Sequence, residues 1–228
     1  MQWIPEYRDD VPRVERFNAL ARVTHWSHTV TFLLCLFTGL ALFLRADWLA
    51  AIFGGFRGAG LVHRIAAVVM TVTILTAMVV GIKGVIAWIK DLLRFGLNDI
   101  GFLMKFPLEF LGFKVKIPPQ TRFNGGEKGN SIVTPTMVFL LMISGWIIWW
   151  PSIWWPGLVR ASYWIHDLAM IFATVMVCMH GYLGSFHPGS GESFWGMWKG
   201  TVRADWAQHH HTIWYEETYG DKAKAEAE

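Results

Sequence analysis

The sequence predicts an all-α integral membrane protein, an up-down bundle of four transmembrane helices with an interfacial segment between helices 2 and 3. Three observations predict it. Of 228 residues, 54% are hydrophobic and only 16% charged, where a soluble domain carries about a quarter charged residues. Four apolar stretches, at 24–44, 61–85, 132–150 and 162–185, are each long enough to cross about 30 Å of hydrocarbon at about 1.5 Å per residue. Fourteen tryptophans suit a chain with two water–lipid boundaries, since indole places an apolar body in lipid and an N–H among headgroups.

Taken in order, residues 1–23 carry Arg8, Asp9, Asp10, Arg13, Glu15, Arg16 and Arg22 with no apolar core. That pattern excludes a cleavable signal peptide and leaves insertion to the first span. The first two spans are linked through Gly54-Gly55-Phe56-Arg57-Gly58 and the last two through Pro151-Ser152-Ile153-Trp154-Trp155-Pro156-Gly157; links this short force antiparallel hairpins. Between the hairpins, residues 86–131 mix Ile89, Leu92, Leu93 and Phe95 with Lys90, Asp91, Arg94 and Lys105, the pattern of an interfacial segment. The membrane domain is thus 24–185, followed by a tail at 186–228 whose charged end, from Asp221 to Glu228, is expected to fray.

Residues 1–23, 83–131 and 186–228 hold four, eight and four Lys and Arg, against four (Arg45, Arg57, Arg64 and Arg160) elsewhere. The bias places both termini and the middle segment in the cytoplasm and the two short links outside. The formal charge of +3 is modest, and no nucleic-acid partner is expected; lipid is. No internal repeat is strong enough to use.

Polar side chains inside spans need an explanation, because hydrocarbon offers them no partner. Here the spans hold His25, His28, His63, His166 and His180. In an up-down bundle His25 and His180 fall toward the cytoplasm, and His63 and His166 toward the outside, giving two pairs at two depths. His166 and His180 are fourteen residues apart, which returns to nearly the same helix face about 21 Å along the axis. One helix can therefore supply a ligand to each of two haems. Iron held by two imidazoles has no open position, so its chemistry reduces to outer-sphere electron transfer. Cys35 and Cys178 belong to no C-x-x-C-H motif, so haem would be held non-covalently. His28 lies three residues from His25 and within about 60° of the same face, so spacing alone leaves either as the ligand. Gly39, Gly81, Gly145, Gly181 and Gly184 lie in or near the spans, where glycine permits close approach of a macrocycle or of another helix. His187 and the run His209-His210-His211 read as soluble-side residues.

At these positions the chain resembles the cytochrome b, or gamma, subunit of respiratory membrane-bound formate dehydrogenases, within the wider family of di-haem b subunits of hydrogenases and related reductases. The resemblance rests on Ala21-Arg22-Val23-Thr24-His25-Trp26, Leu61-Val62-His63, Ile165-His166, Met179-His180, Arg122-Phe123-Asn124-Gly125-Gly126-Glu127-Lys128 and the tail stretch from Arg203 to His210. It implies two haem b groups, with His63 and His166 as axial ligands of the outer one and His25 and His180 of the inner. It further implies a quinone pocket, for menaquinone or ubiquinone, beside the inner haem, with Asn124, Gly126 and His180 near the quinone. The Asn-Gly-Gly sequence reads as a turn just before the third span, offering an amide donor and backbone N–H groups. Glu127 departs from the family pattern, which commonly has Gln there.

The partners implied are an iron–sulfur subunit and a catalytic molybdenum or tungsten subunit, in a bacterial inner membrane. Any enzymic role of this chain would lie in the quinone reaction, because it has no nucleophile triad, phosphate loop or pterin-binding domain. The alternatives are a cytochrome b serving a hydrogenase or a thiosulfate-type reductase, or a haem-free membrane anchor or transporter.

Overall fold

A computed structural model describes the backbone of residues 5–225 and the side chains of residues 5–220. In chain order the elements are β1 (Arg13–Glu15), α1 (Ala19–Phe43), α2 (Asp47–Ile52), α3 (Gly55–Val80), α4 (Ile82–Leu93), α5 (Leu97–Phe110), α6 (Gly125–Trp149), α7 (Pro156–Ser185), α8 (Glu192–Trp198), β2 (Thr201–Arg203), α9 (Ala204–His210) and α10 (Thr212–Ala225). Among the described residues α1, α3, α6 and α7 are the four helices long and apolar enough to cross a membrane. The protein is an all-α integral membrane protein.

Each of these helices begins five to seven residues before its apolar stretch, because the start is set by backbone capping and not by hydropathy. Asn18, extended at φ −72° and ψ 168°, accepts the Ala21 N–H and opens α1; an asparagine oxygen satisfies a donor that the helix itself cannot. The first link is not a plain loop. It contains the short helix α2, and the turn into α3 uses Gly54 and Gly55 at φ 82° and 84°, a region open to glycine without steric cost. Proline at the first position of α7 costs no hydrogen bond. At the far end of α3, a Cβ on Gly81 would meet the Ala77 carbonyl oxygen at 2.6 Å, so the chain turns toward α4 where only glycine fits. Within 86–131, α4 and α5 account for just under half of the residues.

The chain forms two compact units. One comprises Asn18–Ile82 and Pro135–Cys178. Its core cluster takes Phe32 from α1, Met70 from α3, Val138 from α6 and Ala173 from α7, one residue from each spanning helix. A second cluster, Ala41, Leu49, Ala50 and Ala59, packs α2 against α1 and α3. The rings of Trp146, Trp149 and Trp150 stack nearly parallel with centroids 5.0–5.2 Å apart, and Trp146 Nε1 donates to Thr71 Oγ1 at 3.3 Å. Large apolar side chains such as Val72, Leu168 and Trp164 are exposed, as a lipid-facing surface requires.

The other unit comprises, in its described parts, residues 5–17, 83–134 and 179–225. Here β1 pairs antiparallel with β2, Arg13 opposite Arg203 and Glu15 opposite Thr201. Val14, Val202, Ala207 and Trp214 form the core beneath this ladder. Arg13 pairs with the buried Glu192, and the fully buried Lys128 ammonium lies 2.8 Å from Asp99 Oδ1 and donates to the Arg94 carbonyl at 2.8 Å. Residues 226–228 and the side chains of 221–225, where fraying is expected, lie outside the described residues.

Candidate functional site

In the first unit α3 and α7 bring His63 and His166 together, their ring centroids 6.3 Å apart at an interplanar angle of 62°. Each ring meets the hydroxyl of a neighbouring helix. Thr38 Oγ1 on α1 lies 3.0 Å from His63 Nδ1, and Ser144 Oγ on α6 lies 3.0 Å from His166 Nδ1. Both hydroxyls also donate to their own helix, Thr38 to the Leu34 carbonyl at 2.5 Å and Ser144 to the Leu140 carbonyl at 2.5 Å. The residue after each hydroxyl is a glycine packed on the same ring: a Cβ on Gly39 would lie 3.4 Å from His63 Cε1, and one on Gly145 would lie 3.2 Å from His166 Cε1.

This pair fits a metal held from both sides. A metal–imidazole bond of about 2 Å on each side, plus about 1.2 Å from nitrogen to ring centre, separates two axial rings by roughly 6.4 Å, close to the separation seen. With each Nδ1 engaged, Nε2 is the nitrogen left to ligate. The donor set is two imidazoles in an apolar bundle, a set that haem b takes.

The remaining candidate histidines lie elsewhere. His25 lies on α1 in the same unit, its ring 5.1 Å from that of Trp26 and edge-on to it. His28, one turn on, packs against Phe32 at 6.0 Å. His180 belongs to the second unit, where Asn130 Nδ2 stands 3.5 Å from its Nδ1 while Asn130 Oδ1 accepts the Thr134 hydroxyl at 2.9 Å. A contact of that length is too weak to fix a tautomer.

Around Asn124 the structure corrects one expectation. Gly125 and Gly126 are not a turn before the helix but the first residues of α6. Asn124 caps it: its Oδ1 accepts the Glu127 N–H at 2.9 Å, and Glu127 Oε2 accepts the Asn124 N–H at 2.8 Å, a reciprocal capping box. Gln120 takes the Gly125 N–H at 3.1 Å. The side-chain NH2 of Asn124 is therefore its donor for a ligand, with its oxygen committed to the helix. A Cβ on Gly126 would lie 3.3 Å from both Asn124 Oδ1 and the Phe102 ring, so bulk is excluded there. Glu127, the departure from the family pattern, is the other half of this cap and stands 3.7 Å from the buried Arg16 guanidinium.

In the tail, His211 is buried within its unit, 1% exposed, with Nδ1 2.9 Å from the Thr121 carbonyl and Nε2 3.2 Å from Arg16. Burial, reinforced by the Arg16 charge, holds its pKa well below 6.5. Burial likewise pushes Arg16 down to about 10 against the opposing pull of Glu127, so it stays cationic at neutral pH. His187 lies among aromatic rings, stacked on Phe110 at 5.5 Å and edge-on to Phe106 at 5.6 Å.

Sequence reasoning found the histidines but missed Thr38, Ser144, Arg16 and His211. The usable signal for the first two was the order hydroxyl-then-glycine, which occurs once in each hairpin.

Comparison with known proteins bears on the same residues. The family model of prokaryotic cytochrome b561 matches residues 16–200. The nitrate-inducible formate dehydrogenase cytochrome b556(Fdn) subunit of Escherichia coli K12 is 27% identical over 94% of this chain and 96% of its own length. The formate dehydrogenase cytochrome b556(fdo) subunit of the same strain is 25% identical over 90% of this chain and 92% of its own. The formate dehydrogenase cytochrome b556 subunit of Haemophilus influenzae is 24% identical over 90% and 83%.

Proposed function

The chain belongs to the prokaryotic cytochrome b561 family, and we propose that it is the di-haem b membrane subunit of a formate dehydrogenase complex. In this reading it carries electrons between an iron–sulfur subunit on the outer face, itself joined to a molybdenum or tungsten catalytic subunit, and menaquinone or ubiquinone near the cytoplasmic face. The observation that carries it is the approach of the His63 and His166 rings to 6.3 Å with both Nδ1 atoms engaged. Haem b held this way supplies one-electron transfer without an open iron position. The chain supplies hydrogen-bonded imidazoles, an apolar sheath that keeps water away, and glycines that let the rings pack close to the neighbouring helix.

His25 and His180 are proposed for the inner haem on their depth in the sequence and the family resemblance, and that resemblance favours His25 over His28. For quinone, the Asn124 NH2 is the donor suited to a carbonyl oxygen, and Gly126, which lets Phe102 pack close to Asn124, is placed beside it by the family resemblance. Protons for quinone reduction would come from the cytoplasm, so inward electron transfer would by itself charge the membrane. The orientation, both termini in the cytoplasm of a bacterial inner membrane, rests on the sixteen-to-four division of basic residues.

The purified protein should bind two haem b groups per chain, with a Soret band and split b-type α peaks on reduction. A chain with no Soret band overturns the reading. Asn124→Asp keeps an oxygen for the cap but removes the NH2 donor. It should slow quinone turnover about tenfold, the worth of one hydrogen bond of about 1.4 kcal/mol, with both haem spectra unchanged. Wild-type turnover in that variant rejects the role of Asn124.

A further inference from the structure

We infer that Thr38 and Ser144 are positioning residues, which fix the tautomer and the electron-donating strength of the two imidazoles proposed to hold the outer haem. The inference rests on the reading that His63 and His166 are its ligands. A hydroxyl has one proton. Thr38 Oγ1 lies 2.5 Å from the Leu34 oxygen and 3.2 Å from that of Cys35, and Ser144 Oγ lies 2.5 Å from the Leu140 oxygen and 3.3 Å from that of Leu141, so each proton is spent on carbonyls of its own helix. Toward the histidine each oxygen can therefore only accept, and at 3.0 Å it accepts from Nδ1–H. The proton is held on Nδ1, and the Nε2 lone pair is left for metal.

Thr38 is fully buried and Ser144 is 2% exposed, so water does not replace either oxygen. The device occurs twice, on α1 against α3 and on α6 against α7, each time followed by a glycine packed on the same ring. Two unrelated stretches of sequence arrive at one arrangement, which a merely space-filling hydroxyl does not require. Accepting a hydrogen bond from the far nitrogen makes an imidazole a stronger donor, favours ferric iron and lowers the reduction potential.

The test uses the full chain in its membranes, with the outer haem identified as the one lost in His63→Leu. Thr38→Val and Ser144→Ala should each raise the midpoint potential of that haem in a potentiometric titration and change its low-spin electron paramagnetic resonance signal. The inner haem should stay unmoved, and Thr38→Ser and Ser144→Thr should keep wild-type values. Loss of the outer haem from the apolar variants with retention in the hydroxyl-keeping ones equally supports the role. Unchanged potential and signal in both apolar variants, or equal damage from the hydroxyl-keeping ones, overturns it. A full haem complement in His63→Leu overturns the ligand reading itself, a distinct result.

Discussion

The hydrogen-bonded histidines of the two units are built in opposite ways. His63 and His166 each have one nitrogen engaged by a hydroxyl, which leaves the other for a ligand. His211 has both nitrogens consumed, one by the Thr121 carbonyl and one by Arg16. His63 and His166 are partly buried and His211 fully so, yet it is the partners that differ most: the first arrangement suits a binding group, the second a strut. What a buried histidine can do is thus decided by which nitrogen its neighbours leave over.

Substituting the histidines is the severest way to break the comparison. His63→Leu or His166→Leu should each cost the chain one of the two haems proposed for it, whereas His211→Leu should cost none; pyridine haemochromogen analysis counts them. Haem loss in the His211 variant would erase the distinction.

A smaller effect sharpens the contrast between neutral hydroxyls in the span unit and paired charges in the other. Asp99→Ala leaves the Lys128 ammonium, fully buried, with only the Arg94 carbonyl. Removing one partner of a buried pair costs about 3–5 kcal/mol, which thermal unfolding in detergent would detect. Asp99→Leu combined with Lys128→Met should recover most of that loss, because no charge is then stranded.

The smallest effect is a pH dependence confined to the strut. His211 is harder to protonate folded than unfolded, so the unfolded chain takes up the extra proton. Its contribution to stability is complete above pH 6.5 and is lost as pH falls below it, by up to about 1.4 kcal/mol per pH unit. Limited proteolysis of the C-terminal tail between pH 8 and 5 follows this directly. In His211→Gln the dependence should flatten; an unaltered profile assigns it to another group.

These outcomes also mark how far the sequence could be read. The four spans were legible because hydropathy registers the solvent, and the histidines because hydrocarbon makes any polar ring conspicuous. The helix starts were not. Asn18 and Asn124 begin α1 and α6 among polar residues, ahead of any apolar run. Thr38 and Ser144 stayed hidden for another reason: a membrane-helix hydroxyl normally satisfies itself on its own backbone, as both do, and only tertiary packing reveals the second use of the oxygen. The burial of His211 was not legible because its partner Arg16 lies 195 residues earlier in the chain.

The ladder between β1 and β2 sets an order of events during synthesis. Glu15 is made 186 residues before Thr201, its partner in register, and all four crossings lie between them. The early strand must wait, unmatched, while both hairpins insert, and it can close only when the last span has returned the chain to the leaflet where it began. A truncated or wrongly threaded product therefore keeps an open strand edge that the finished chain has closed.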